Sequence, residues 1–285
     1  MARYAYVNGR YVPHGEAAVH VEDRGFQFAD GVYEVVTVQE GRMVDEKGHL
    51  DRLQRSLDEL KMDAPMSRRA LGLVMRELVR RNGVRNGIIY LQITRGVSPR
   101  DFKFPTDVAP TLVMTTRHVD LDPKAIVEKG VSVITVPEIR WKRRDIKSVS
   151  LLPQVLGKQM AAEAGASEAW QVEEDGKVTE GCSSNAWIVT ADNVIVTRKA
   201  SNSILNGITR QSILKLTGGS DVTLEERTFT VEEAYAAREA FLSSATTYVM
   251  PITRIDGRAI GDGKPGPIAL KLRKAYQDYA AGGST

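Results

Sequence analysis

Val178-Thr179-Glu180-Gly181-Cys182-Ser183-Ser184-Asn185 lies between two hairpin turns, Asp175-Gly176 and Asp192-Asn193. The stretch is a strand that runs into two serines and an asparagine, so this part of the chain is built of short strands and tight turns. Outward from it, Val131–Val136 reads as a strand and 150–164 as a helix, with Pro153 tolerated in the first turn. Downstream, Asn206-Gly207-Ile208-Thr209 opens a helix, and Thr230 with Glu233 forms a capping box that opens another. Ala240–Ser244 reads as a buried strand ending in hydroxyls, Asp256-Gly257 as a hairpin turn, and 267–279 as a closing helix. The second half is therefore strand-rich with helices around it, which predicts a barrel-like α+β domain.

The first half has a different rhythm. Asn8-Gly9 joins the strands Tyr4–Val7 and Arg10–Val12, the strongest short hairpin signal, and Val32–Val38 turns at Glu40-Gly41 into Arg42–Val44. Leu50, Leu53, Leu57 and Leu60 recur at helical spacing, and Ser67 caps a second helix that reaches Arg81. Strands at 88–94 and 111–116 complete it. The expected organisation is a small α/β domain over 1–117, a linker over 118–124 and a larger domain over 125–285.

With 42% hydrophobic and 26% charged residues over 285 positions, the chain has the balance of a soluble globular protein. No apolar run is long enough to span a membrane, and the N-terminus lacks a secretory stretch. A single cysteine, Cys182, rules out an internal disulfide and fits a cytoplasmic location. Four histidines, all at or before position 118, argue against zinc. A net charge of +3 is too mild to point to nucleic acid, so the basic run Arg140–Arg144 reads as solvated surface or a phosphate patch. Dinucleotide, P-loop and nucleophile-elbow signatures are missing.

Several residues carry possible chemistry. Lys147, in Asp145-Ile146-Lys147-Ser148, is a nucleophile only if its amine loses its proton; Lys142, Arg143 and Arg144 supply charge for that, whereas alone it reads as surface. Glu180 is either an ordinary hairpin acid or a carboxylate that keeps a pyridine nitrogen protonated. Ile208 and Thr209 stand at a helix start, which favours an anion, though a plain N-cap explains them too. Arg52 lies off the leucine face of its helix, and the hydroxyls of 243–247 either serve a turn or bind phosphate.

Taken in order, His49-x-x-Arg52, Asp145-Ile146-Lys147-Ser148, Thr179-Glu180-Gly181 with Asn185, Ile204–Arg210 and the 243–247 cluster resemble the fold type IV pyridoxal 5′-phosphate (PLP) enzymes over essentially the whole chain. That resemblance implies a small α/β domain and a larger barrel-like domain, with PLP in the cleft between them, and a homodimer with shared active sites. It implies that Lys147 carries the cofactor as a Schiff base and then moves protons, and that Glu180 pairs with the ring nitrogen. Arg52, the Ile208 and Thr209 amides, and the Thr209 and Thr246 hydroxyls would hold the phosphate, with Ser244 beside them. Asp30–Val36 and Thr94–Asp101 look most like the D-amino-acid aminotransferases, in which residues at the positions of Tyr33 and Arg100 grip the substrate carboxylate. That family has a histidine two places after the arginine; Phe102 stands here, and Lys103, Arg95 and Arg24 are the basic residues that could replace it. The implied reaction is transamination between D-amino acids such as D-alanine and 2-oxo acids such as 2-oxoglutarate. Branched-chain L-amino-acid and (R)-selective amine transaminases are the alternatives.

Overall fold

The computed structural model describes residues 3–217 and 223–282. The chain divides into two compact units, one running to Asp120 and taking in Ile146–Ser150, the other comprising Leu121–Asp145 and the chain from Leu151 onward.

In the first unit, β1 (Tyr4–Val7), β2 (Arg10–Pro13), β3 (Gly31–Gln39), β4 (Arg42–Met43), β5 (Gly87–Thr94) and β6 (Thr111–His118) form an antiparallel sheet in the order β2-β1-β6-β5-β3-β4. Asn8 and Gly9 both take positive φ, as a tight hairpin turn between right-twisted strands requires. A short helix, α1 (Arg24–Phe28), precedes β3, while α2 (Glu46–Glu59) packs on β3 and α3 (Arg68–Arg81) on β1 and β6. Leu50, Leu53 and Leu57 are all buried, and the Ser67 side chain accepts a bond from the Ala70 N–H. Along β3, Val32, Val36 and Val38 enter the core cluster that also holds Leu53, Leu57 and Ile146.

The sequence division put Lys147 in the second domain; Ile146–Ser150 instead packs with the first unit. Ile146 is buried in that unit's core, the Tyr33 N–H donates to Lys147 O at 2.9 Å, and the Val149 N–H donates to Gly31 O at 3.0 Å. The segment thus lies along the free edge of β3, where Val32 bridges Ser148, because β4 pairs only with the far end of that strand.

In the second unit, β7 (Val131–Pro137), β8 (Glu168–Val172), β9 (Val178–Gly181), β10 (Asn185–Val189), β11 (Ile195–Thr197), β12 (Leu224–Glu226), β13 (Glu239–Ser244) and β14 (Tyr248–Ile255) follow the order β12-β11-β10-β13-β14-β7-β8-β9, with β15 (Arg258–Ala259) on β14. Helices α4 (Lys124–Lys129), α5 (Leu152–Glu163), α6 (Ile208–Thr217), α7 (Val231–Tyr235) and α8 (Pro267–Ala280) accompany them. The chain just after β12 comes back to β9: the Val178 N–H donates to Phe229 O at 3.0 Å and the Val231 N–H to Gly176 O at 3.1 Å. Two backbone bonds therefore curl the sheet toward a barrel. Helix α4 begins inside the stretch expected to be linker, and β14 and β15 flank the hairpin turn expected at Asp256-Gly257.

Candidate active site

Strand β3 alternates sides, so Glu34 points with the core valines while Tyr33 points the other way. An acid at an inward position must be paired. Glu34 is buried and accepts from Arg52 Nε at 2.7 Å, Arg52 Nη2 at 2.8 Å and His49 Nδ1 at 2.7 Å. His49 and Arg52 sit three apart on α2, on the side that meets β3, which gives the His49-x-x-Arg52 spacing a physical reason. Burial alone would push the Glu34 carboxyl up, but the Arg52 charge and the bonds from Arg52 and His49 outweigh it and hold it at about 2. Arg52 is accordingly fixed in direction by two bonds to one carboxylate.

On the opposite side, Lys147 Nζ lies 4.2 Å from the centre of the Tyr33 ring, and the Lys147 N–H donates to Ser56 Oγ at 3.3 Å. Tyr33 in turn packs against Tyr90, whose hydroxyl burial pushes up to about 12. Two of the three positive charges expected to act on Lys147 are paired within the second unit: Arg143 with Asp145, and Arg144 with Glu173 and Glu138.

Arg100 is exposed and stacks over Phe28, with its guanidinium carbon 4.5 Å from the ring centre; Phe102 packs against the same ring at a centroid distance of 5.4 Å. Arg24 and Arg95, two of the residues that could replace the missing histidine, both bind Asp30, with Nε to Oδ2 distances of 2.8 Å each. Arg95 also donates to the Leu60 and Lys61 carbonyls. Both guanidiniums are built into the fold, which leaves Arg100 and exposed Lys103 as the accessible cations of this loop.

In the second unit Asn185 ties three of the quoted motifs together. Its Nδ2 donates to Glu180 Oε2 and to Leu205 O, both at 2.9 Å, and its backbone pairs with Ser243 across β10 and β13. A Cβ on Gly207 would come within 2.1 Å of Asn185 Oδ1, so only glycine lets the 205–207 loop approach this closely. The Gln211 N–H donates to Gly207 O, which closes the first turn of α6; the Ile208 and Thr209 amides lie in that turn, where a helix offers no acceptor of its own. Thr209 is buried. Between β13 and β14, Ser244 Oγ lies 3.2 Å from Thr246 Oγ1 and 2.8 Å from Thr247 Oγ1, and Tyr248 takes φ 59 to complete the turn. Arg273 of α8 donates to Thr247 O and Val249 O at 2.8 Å and fixes that turn from behind.

Glu180 is buried and accepts from Arg140 Nη1 at 2.7 Å, from Asn185, and from the Leu205 N–H at 3.0 Å. The basic run is therefore not a solvated face throughout: Arg140 and Arg144 are turned inward onto carboxylates, while Trp141 and Lys142 stay exposed. Sequence reading missed Arg140 and Glu34; a lone acid in register with core valines was the available signal for Glu34. Cys182 is buried, and burial pushes its thiol up to about 12, which makes it a packing residue beside Gly157.

A model of the amino-transferase class IV family matches residues 31–255. The chain is 40% identical to the D-alanine aminotransferase of Staphylococcus haemolyticus over 96% of both chains, and 42% identical to that of Bacillus licheniformis over 95% of both. Among solved structures it resembles the branched-chain aminotransferase of the thermophilic archaeon Thermoproteus uzoniensis with norvaline, at a TM-score of 0.88 and 27% identity, covering 99% of this chain and 96% of that one. It also resembles the PLP form of the branched-chain amino acid aminotransferase of Thermobaculum terrenum, at a TM-score of 0.86 and 25% identity, covering 99% of this chain and 95% of that one.

Proposed function

The chain belongs to the class IV aminotransferases, and from that premise we propose that it is a PLP-dependent enzyme exchanging amino groups between D-amino acids and 2-oxo acids. The observation that carries the D-amino-acid reading is the 40–42% identity to D-alanine aminotransferases over nearly the whole of both chains.

The residues fit the cofactor. Lys147 offers an amine, Glu180 a buried carboxylate among donors, α6 a helix start with a buried threonine hydroxyl, and 244–247 a hydroxyl turn. When bound, PLP supplies an aldehyde for the substrate amine and a ring that draws electrons from the substrate Cα. Lys147 would be the attachment point and would then move the proton at the substrate Cα. Glu180 would face the ring nitrogen and keep its proton in place. Arg52, oriented by Glu34, would bind the phosphate, as would the Ile208 and Thr209 amides and the Thr209, Ser244 and Thr246 hydroxyls. Tyr33 and Arg100 bind the substrate carboxylate, with Arg100 presented on Phe28.

The enzyme acts as a cytoplasmic homodimer. Leu152, Val155, Leu156 and Met160 form an exposed apolar stripe on α5 that a second copy would cover. Likeness to branched-chain aminotransferases favours a second reading, transamination of L-leucine, but it comes at 27% identity. Incubating the PLP-loaded protein with 2-oxoglutarate and either D-alanine or L-leucine separates the two. Pyruvate from D-alanine is the expected product; turnover of L-leucine alone would reverse the assignment. Arg100→Ala should raise KM for D-alanine by about tenfold or more, the worth of a charged hydrogen bond.

A further inference from the structure

Behind Glu180 stands a row of buried charges that alternate in sign. Arg140 bridges Glu180 and Glu138, with Nη1 2.7 Å from Glu180 Oε1 and Nη2 2.5 Å from Glu138 Oε2. Arg144 Nε lies 3.5 Å from Glu138 Oε2 and its Nη1 3.0 Å from Glu173 Oε1, while Arg198 Nη2 lies 2.8 Å from Glu173 Oε2. Three arginines and three glutamates cancel. The Glu138, Glu180 and Arg140 side chains are 1%, 5% and 6% exposed, and exposure rises toward the far end of the row, to 27% at Glu173 and 11% at Arg198. Buried ion pairs are poor stabilisers compared with apolar packing, so a row of them ending on one functional carboxylate calls for another explanation.

The bonding around Glu180 supplies it. Arg140, Asn185 and the Leu205 N–H all donate to Glu180, and Arg140 is the one charged group among these three. Glu138 also accepts from Thr179 Oγ1 at 2.7 Å, which fixes the carboxylate that faces Arg140.

We propose that Arg140 is a positioning residue that holds Glu180 as an oriented carboxylate, and that Glu138 cancels the Arg140 charge so that Glu180 keeps its attraction for a cationic ring. This rests on the reading of Glu180 as partner of the ring nitrogen. Burial pushes the Glu180 carboxyl up from its ordinary value, and the Arg140 charge and hydrogen bond pull against that rise. Burial also favours loss of the Arg140 proton, but Glu180 and Glu138 outweigh it and keep the guanidinium charged. Without Arg140, Glu180 would be left with neutral donors in a buried site.

The test uses full-length Arg140→Met, Arg140→Lys, Glu138→Gln and Glu180→Gln proteins, titrated with PLP from the apo form and then followed by visible absorption against pH. Deleting a cation raises the pH at which any neighbouring group sheds its proton, and deleting an anion lowers it. Arg140→Met should weaken PLP binding by about tenfold or more and move the midpoint of the cofactor's absorption change up by roughly one pH unit. Glu138→Gln should move that midpoint down, and Arg140→Lys should restore it. Loss of packing alone would not give shifts of opposite sign. Wild-type affinity and midpoint in Arg140→Met and Glu138→Gln, or shifts in the same direction, would overturn the proposal when Glu180→Gln changes both quantities. If Glu180→Gln also changes neither, the reading of Glu180 fails and the proposal falls with it.

Discussion

Replacing Glu34 by glutamine tests whether the Arg52 guanidinium is held by a buried ion pair. The carboxyl is held at about 2 against an ordinary 4.5. At about 1.4 kcal/mol per pH unit, that gap corresponds to roughly 3 kcal/mol of stability, in line with the cost of stranding one member of a buried pair. Because the folded-state value is depressed, the contribution is fully present above about pH 4.5 and is lost as the pH falls toward 2. Urea unfolding of wild-type and Glu34→Gln holoenzymes should therefore differ by about 3 kcal/mol at neutral pH and by roughly half that near pH 3.3. The same variant should lose PLP affinity, since Arg52 would no longer be aimed by two bonds. A difference under about 1 kcal/mol at neutral pH, or one that does not shrink on acidification, would refute the reasoning.

Two further outcomes follow from the packing. Gly207→Ala must displace Asn185, whose Oδ1 would lie 2.1 Å from the new Cβ, so PLP titration should show at least a tenfold weaker complex. The double change Val155→Asp with Leu156→Asp places charge on the exposed stripe of α5, so in sedimentation the proposed homodimer should give way to monomer without loss of the native circular dichroism.

Much of the fold was legible because local rules and tertiary structure agree. Asn8-Gly9 makes its turn, Ser67 caps its helix, and Leu50, Leu53 and Leu57 of α2 all face the core. The short helix α1 was not, since its five residues carry too little periodicity to register. Of the proposed site, Glu180 and Asn185 lie five residues apart and their link could be read in one stretch. The row from Glu180 to Arg198 could not. Its members come from positions 138, 140, 144, 173, 180 and 198, and only strand pairing brings them together. A run such as Arg140–Arg144 looks like solvated surface until the carboxylates opposite it are known. The position of Lys147 was hidden for a similar reason. Its placement depends on the free edge of β3, which is a property of strand order rather than of neighbouring residues.

The central claim is that one amine, Lys147, takes the cofactor. Borohydride reduction of the PLP-loaded protein followed by peptide mapping tests it directly. A pyridoxyl group on the peptide containing Lys147, absent from Lys147→Ala, is the predicted result; a label on another lysine, or none at all, would contradict the account.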